Sequence, residues 1–341
     1  MEPTRVSYRI LVIDECGALR SMAPILFESG ELVSSGPGGG YGVMAKAVES
    51  QRPDLVILDL VSDLAAFQAI EEVMAENPTP ILVLHSGQYS VNPFKALALG
   101  ALDVAERPVS PPGQFWKELR RKVVLLAQVR VVQHVQGRKK KIGSSVVGKT
   151  QNSSMHVVAI AASLGGPKAL SILLKTLPPD FRAPICICQH ISDGFTADLT
   201  QWLSSETQLK VTEAADNQLL ERGRVYIAPS RRHLRVRAGL RISLEDGPVL
   251  MGFKPSCDAL LTSVAEACGE NAIGVVLTGM GRDGAQGLKE ISLKGGHTVA
   301  QNEASCVVFG MPREAVQLGA AQRILPLEKI ASSLIEWVDG C

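Results

Sequence analysis

Aromatic side chains are scarce in this 341-residue chain, at 4%, and no apolar run comes near the ~18 residues of a membrane-spanning helix. A spanning segment is therefore excluded. Net charge is nearly absent: 35 Lys and Arg stand against 34 Asp and Glu. That balance argues against a dedicated nucleic-acid surface. The opening Met1-Glu2-Pro3-Thr4-Arg5 lacks the basic and apolar regions of a secretory leader. Seven cysteines, an odd number without regular spacing, exclude a disulfide framework and point to free thiols in a reducing cytoplasm. Cys186 and Cys188 form C-x-C inside an apolar strand, which reads as two buried thiols rather than a metal pair. The glycine-rich stretch 36–40 has no G-x-G-x-x-G frame behind the first strand, so a dinucleotide site is excluded. G-x-S-x-G is missing too, because Ala161 stands where its first glycine would be.

What is present is a hydrophobic content of 46% and an alternation of strand-like and helix-like patterns through both halves. That rhythm predicts an α/β protein with two doubly wound parallel sheets, covered by helices on both faces. The first half, 8–132, has expected strands at 10–14, 32–34, 55–59, 81–84 and 103–105, which fits a flavodoxin-like domain. Residues 133–154 are polar and basic, include Arg138-Lys139-Lys140-Lys141, and read as a solvated linker. The second half, 155–341, has expected strands at 157–162, 185–189, 210–212, 225–228, 273–277 and 298–300. A hairpin is expected from 235–237 and 241–243 around Gly239.

Ser163 follows the apolar run 157–162 and precedes a helical pattern opened by Pro167. A serine on such a turn projects its hydroxyl at the carboxyl end of a parallel sheet, above free helix N–H groups. Its hydroxyl needs a base. Of six histidines, His85 and His134 lie in the first half or the linker, His156 and His297 sit at the amino ends of strands, and His233 falls in a polar turn. His190 alone ends an apolar strand at the same sheet edge as Ser163; a structural role and a base role are both open to it. Asp283 lies in the glycine-rich loop after the strand 273–277. It suits either a helix N-cap or the carboxylate of a triad. In the first half, Asp14-Glu15 and Asp59 end the first and third strands. Three carboxylates at one edge repel unless a cation joins them, and an oxygen-rich site of this kind suits Mg²⁺; helix capping is the alternative.

The second half, over about 155–338, closely resembles the catalytic domain of the chemotaxis protein-glutamate methylesterases, the CheB family. The carrying motifs are Ala162-Ser163-Leu164-Gly165-Gly166-Pro167, Gln189-His190 with Gly194-Phe195-Thr196, Tyr226-Ile227-Ala228-Pro229, Asp246-Gly247-Pro248, Pro255-Ser256-Cys257-Asp258, Thr278-Gly279-Met280-Gly281-Arg282-Asp283-Gly284, and the run from Ala300 to Ala315. The resemblance implies a three-layer, Rossmann-like catalytic domain with Ser163 as nucleophile, His190 as base and Asp283 as its partner. It implies hydrolysis of glutamate methyl esters on chemoreceptors without a catalytic cofactor, and deamidation of receptor glutamines by the same machinery. Oxyanion donors are expected from the backbone near Ser163, Leu164 and Gly165 and from the Met280–Gly281 loop. Leu164 replaces the threonine usual after the serine.

The first half, over about 8–128, resembles a response-regulator receiver domain. That implies Asp59 as phosphoacceptor, Asp14, Glu15 and Asp59 around Mg²⁺, Ser86 at the hydroxyl switch position, and a histidine kinase as phosphodonor. The departures are Leu60-Val61-Ser62-Asp63-Leu64-Ala65 where M-P-x-M-D-G is usual, and Arg107 where a lysine precedes the proline. Arginine keeps the charge but not the contacts of a compact ammonium. The expected setting is cytoplasmic, with no nucleic-acid partner and no membrane insertion.

Overall fold

The computed structural model describes residues 7–340 except 16, 18, 20, 22–23, 28–31, 35–38, 88–90, 109–112 and 130–154. The expected linker and its basic run fall outside the described residues. The first sheet consists of β1 (Tyr8–Ile13), β2 (Leu32–Ser34), β3 (Leu55–Leu60), β4 (Ile81–His85) and β5 (Asp103–Glu106), all parallel, in the order β2-β1-β3-β4-β5. This is the flavodoxin-like order. All six residues of β3 are buried, as a central strand covered on both faces requires. The helices of this half are α1 (Pro24–Phe27), α2 (Met44–Gln51), α3 (Asp63–Glu76), α4 (Lys95–Ala98) and α5 (Gly113–Ala127). In α5 the apolar positions 116, 119, 123 and 126 form one stripe. Trp116, Leu119, Val123 and Leu126 bury it against Ile10, Ile57 and Leu82 of the sheet. Each such side chain contributes about 1.5–3 kcal/mol of burial.

The second sheet has seven parallel strands in the order β14-β13-β12-β6-β7-β9-β8. They are β6 (Val157–Ala162), β7 (Ile185–Gln189), β8 (Lys210–Glu213), β9 (Arg224–Ile227), β12 (Ala272–Val276), β13 (His297–Gln301) and β14 (Arg323–Leu325). The antiparallel pair β10 (His233–Arg237) and β11 (Arg241–Glu245) stands apart from it. Helices α6 (Gly166–Thr176), α7 (Thr196–Glu206) and α11 (Leu327–Asp339) supply the core on one face through Leu170, Leu174, Leu203 and Leu334. Helices α8 (Cys257–Cys268), α9 (Ala285–Leu293) and α10 (Met311–Gln317) supply the other through Leu261, Val264, Leu288 and Met311. The chain starts at β6, proceeds to β7 on one side and returns through β12 on the other. The switch point therefore lies between β6 and β12, where doubly wound sheets hold ligands at their carboxyl ends.

Sequence and structure agree on the strands to within two residues at each end, with two differences. β14 was not expected: Arg323-Ile324-Leu325 is short, and its central residue is exposed, so no burial pattern announces it. His233 is not in a turn but starts β10 and is buried, with Nε2 2.8 Å from the Pro248 carbonyl and Nδ1 accepting from Ser256 N–H. The arginines of the hairpin pair locally: Arg235 and Arg237 both meet Glu245 across it.

The two halves pack on each other. Phe94 stacks on Trp202 at 6.0 Å and meets Phe195 edge-on, His85 meets Phe195 at 5.9 Å, and Asn92 Nδ2 donates to the Asp198 carbonyl. Leu164 belongs to the apolar cluster of the first half, with Trp116 and Leu119 of α5.

Candidate active site

Three loops meet at the switch point. Ser163 leaves β6, His190 leaves β7 and Asp283 lies in the loop after β12. The turn at Ser163 is held by its own N–H donating to the Thr278 carbonyl and by Gly166 N–H donating back to the Ser163 carbonyl. Thr278 Oγ1 donates to the Leu164 carbonyl, and Gln189 Nε2 donates to the carbonyls of both Ser163 and His190. Two glycines are obligatory here. Gly165 has φ +75°, and a side chain at 165 would strike Val307 at 2.6 Å. A side chain at 279 would lie 2.7 Å from Ser163 Cβ, so the β12 loop reaches the serine only because it carries no Cβ.

His190 Nε2 and Asp283 Oδ2 are 2.9 Å apart, with both side chains nearly buried. The ring is also stacked flat on Phe253, with centroids 3.8 Å apart and planes 4° from parallel. Asp283 is the best-held carboxylate at this edge. Its Oδ2 accepts from Cys257 N–H at 2.7 Å, and its Oδ1 accepts from Asp258 N–H and from the Ser256 hydroxyl at 2.9 Å each. The two sequence readings of Asp283 thus coexist, because it caps a helix and holds the imidazole at once. The helix is α8, distant in sequence, and the capping is reciprocal: Asp258 Oδ1 accepts from Gly284 and Gly287 N–H at the start of α9.

Burial of His190 opposes its protonation, but the net direction is upward from 6.5; Cys257 and Asp283 supply the pull. Burial also pushes the Cys257 thiol well above its ordinary value, so it is neutral near pH 7 and Asp283 carries the effect. Burial of Asp283 is in turn outweighed by the His190 hydrogen bond and by the N–H groups of Asp258 and Cys257, which hold the carboxyl below 3.8. Burial raises Asp258 to about 6, and the Asp283 charge adds to the rise, against the Gly287 N–H bond.

The third contact of a triad is open. Among the described residues no hydrogen bond joins the Ser163 hydroxyl to His190, and His190 Nδ1 is buried without a partner. Catalytic hydrogen bonds are often long without substrate and tighten when it binds. Of the expected oxyanion donors, Ser163 N–H is already committed to Thr278. The N–H groups of Leu164, Gly165, Met280 and Gly281 have no acceptor among the described residues. Ser163 and His190 line a cleft of about 510 Å³ whose opposite wall comes from the first half: Phe94, Phe115, Glu118, Leu119 and Lys122.

In the first half the expected cation site is not assembled. Asp14 Oδ2 accepts from Leu19 N–H, and Glu15 Oε1 accepts from Tyr41 N–H. Asp59 is engaged by Arg107, whose Nε donates to Oδ1 at 2.8 Å and Nη2 to Oδ2 at 2.9 Å. The oxygens of the three acids do not converge as a ligand set among the described residues, so as placed they do not fit Mg²⁺. Arg107 supplies the positive charge at Asp59, while Asp14 and Glu15 are met by backbone N–H groups. Burial of Asp59 outweighs the Arg107 hydrogen bond and charge, leaving its carboxyl above 3.8. Ser86 Oγ is buried without a partner.

Phe253, Cys257, Asp258 and Gln189 are the site residues that reasoning on chemistry did not single out. Cys257, Asp258 and Gln189 stand in the quoted motifs, but their roles depend on contacts across 25 or more residues. Phe253 had no signal, since a lone phenylalanine in a loop reads as packing.

Comparison with known proteins gives one answer. The CheB methylesterase family matches residues 158–334. The protein-glutamate methylesterase FrzG of Myxococcus xanthus is 50% identical over 339 residues, covering 98% of this chain and all of that protein. A protein-glutamate methylesterase/protein-glutamine glutaminase of Anaeromyxobacter dehalogenans is 43% identical over 335 residues, with 96% of each chain covered. The crystal structure of the Thermotoga maritima CheB methylesterase catalytic domain superposes with a TM-score of 0.54 at 39% identity, covering 55% of this chain and all of that one.

Proposed function

The chain belongs to the CheB methylesterase family, and from that premise we propose that it hydrolyses glutamate methyl esters on chemoreceptors, with Ser163, His190 and Asp283 as the reacting group. The observation that carries this reading is the His190–Asp283 pair, aligned by Phe253 and by the end of α8, at the sheet edge where Ser163 is exposed to the cleft. Ser163 Oγ attacks the ester carbonyl. His190 Nδ1, the nitrogen left free by the bond to Asp283, takes the hydroxyl proton. The oxyanion is met by N–H groups from Leu164, Gly165, Met280 or Gly281, each contact being worth about 3–4 kcal/mol. His190 returns the proton to the departing methoxide, giving methanol. Water, deprotonated by His190, then attacks the acyl-enzyme; the bond to Ser163 Oγ breaks, His190 returns the proton to that oxygen, and a glutamate carboxylate is left on the receptor. A glutamine amide passes through the same steps and releases ammonia, which is the second activity named for the Anaeromyxobacter relative.

The receptor segment must displace the first half to react. Phe94, Phe115, Glu118, Leu119 and Lys122 stand across the cleft from Ser163, where a receptor helix about 10 Å across would have to lie to present its ester. The first half therefore acts as a cover over Ser163, with Leu164 as its apolar foothold. Control by a histidine kinase through Asp59 would require Arg107 to release that carboxylate first. The cytoplasm suits the reaction, because the described cysteines are all free thiols and no described helix is long and apolar enough to cross a membrane. Methanol release from methylated receptors tests the reading. Ser163→Ala is expected to reduce it by on the order of 10⁴–10⁶-fold, and equal rates in the parent and this variant would refute the esterase.

A further inference from the structure

Two thiols that the ester reaction does not use lie beneath the catalytic imidazole. The Sγ atoms of Cys188 and Cys257 and a ring nitrogen of His190 are within 4.8 Å of one another, the sole such trio of potential metal donors among the described residues. Cys257 Sγ is 3.5 Å from His190 Nε2, and Asp283 Oδ2 is 2.9 Å from the same nitrogen. The sequence reading of Cys186 and Cys188 as buried thiols holds, but Cys188 lies beside a third thiol, Cys257, whose Sγ also reaches the Cys188 carbonyl. Cys186 takes no part in the trio.

We propose that Cys188, Cys257 and His190 form a buried binding site for a thiophilic cation of the zinc class, and that occupation switches off the esterase. The donor set is the first argument: two sulfurs and an imidazole, with a fourth position left open, suit Zn²⁺ or Cd²⁺ and do not suit Mg²⁺ or Ca²⁺. Spacing is the second. Metal–ligand bonds of about 2.0–2.3 Å place tetrahedral ligand atoms about 3.3–3.8 Å apart, so small side-chain movements around the observed contacts suffice. The supports are the third, since strand β7 and the first turn of α8 hold the donors in place without the metal.

The inhibition follows from proton bookkeeping and rests on the reading of His190 as the base. Binding expels the two thiol protons to solvent. A metal on Nε2 also obliges the neutral ring to carry its proton on Nδ1. That is the nitrogen needed to deprotonate Ser163, and it loses its lone pair to the proton. The hydrogen bond from Nε2 to Asp283, which holds the ring in place, is lost in the same event.

The test uses the full chain carrying Ser163→Ala, so that binding is read without turnover, with Cd²⁺ as the probe and thiolate-to-cadmium charge-transfer absorption as the signal. One equivalent is expected to depend on the cluster: Cys188→Val and Cys257→Ala should each weaken it by at least about 10–100-fold, the loss that removal of even an outer-shell partner brings. Cys268→Ala, outside the cluster, should retain it. In chains with Ser163 intact, Zn²⁺ should stop methanol release, and Cys188→Val should need at least tenfold more Zn²⁺ for the same fractional inhibition. A Cd²⁺ signal unchanged by both cysteine variants overturns the site. If a variant does not fold, X-ray absorption of the Zn²⁺-loaded parent decides: two sulfur ligands support the site, and an all-nitrogen-and-oxygen shell overturns it. Cd²⁺ binding without any methanol release would sink the esterase and leave the site standing; methanol release without cluster-dependent binding would do the reverse.

Discussion

Asp59 and Asp283 occupy corresponding places in the two halves, each 1% exposed at the carboxyl edge of a parallel sheet and each paired with a cationic partner. Their partners differ in one property. A guanidinium is a permanent cation, and two N–H groups of Arg107 cover both oxygens of Asp59. His190 can give up its proton, and Asp283 engages only one of its nitrogens. The first pair is a closed ion pair with nothing left to react; the second leaves Nδ1 to take and return a proton. One architecture therefore yields a fixed element and a working one, and the choice of cation decides which.

The sharpest test of the contrast is to neutralise the carboxylate in the catalytic half. Asp283→Asn is expected to reduce methanol release by on the order of 10⁴-fold, because an amide cannot hold the imidazole in the tautomer that frees Nδ1. It should also cost about 1–3 kcal/mol of stability, since the amide nitrogen faces N–H donors at Cys257 or Asp258 where oxygen accepted. Denaturant unfolding separates the two effects. A folded variant with near-normal turnover would remove Asp283 from the mechanism.

In the first half the corresponding cut is Arg107→Ala. It strands a buried carboxylate, and the expected loss is about 3–5 kcal/mol in unfolding free energy. Arg107→Lys is the informative companion. In the parent, acetyl phosphate with Mg²⁺ is expected to change the esterase rate less than about twofold, because Arg107 already occupies both oxygens of Asp59. A lysine, single-pronged and shorter, should free one oxygen and make the rate respond, and Asp59→Asn in that background should cancel the response. Strong stimulation of the parent would show that Arg107 yields readily and that the two carboxylates are less different than their contacts indicate.

A smaller effect is expected where the halves touch. Leu164 follows the nucleophile, yet its side chain lies among Trp116 and Leu119. Leu164→Thr should remove roughly 2 kcal/mol of apolar burial from the docked arrangement. The result should be up to about tenfold faster methanol release, with a rise in exposure of α5 to hydrogen exchange. A rate that falls with α5 still protected would mean that Leu164 serves the nucleophile turn and not the docking.

How much of this was legible in the chain depends on the range of the contacts. The strands 157–162 and 185–189 were readable to the residue because unbroken apolar runs between polar ends are a local signal. The placement of Ser163 and His190 followed from strand direction alone. The Asp59–Arg107 pair was half legible: the substitution at 107 stood out, but a guanidinium bridging both oxygens depends on β3 and β5 flanking β4. The capping of α8 by Asp283 was illegible as geometry, since residues 256–258 and 283 are brought together only by the packing of α8 on α9. Asp283 shows the limit most plainly. Sequence offered a cap or a triad member as alternatives, and the fold uses one side chain for both.

The last prediction turns on the same difference of cations and has the smallest amplitude. With His190 raised above 6.5 by Asp283 against its burial, the protonated, inactive form persists to higher pH than for a free histidine. The acid limb of kcat/KM should therefore have its midpoint above 6.5 and rise with pH. Stability should run the other way. A group whose folded pKa is raised contributes fully below its unfolded value, about 6.5, and loses that contribution as pH climbs through the folded value. Across that window the protein becomes more active and slightly less stable. In Asp283→Asn the upward pull is gone and burial remains, so the residual activity should have its midpoint below 6.5. A parent midpoint at or below 6.5 would mean that Asp283 does not govern the proton on His190, and the distinction between the two carboxylates would reduce to geometry alone.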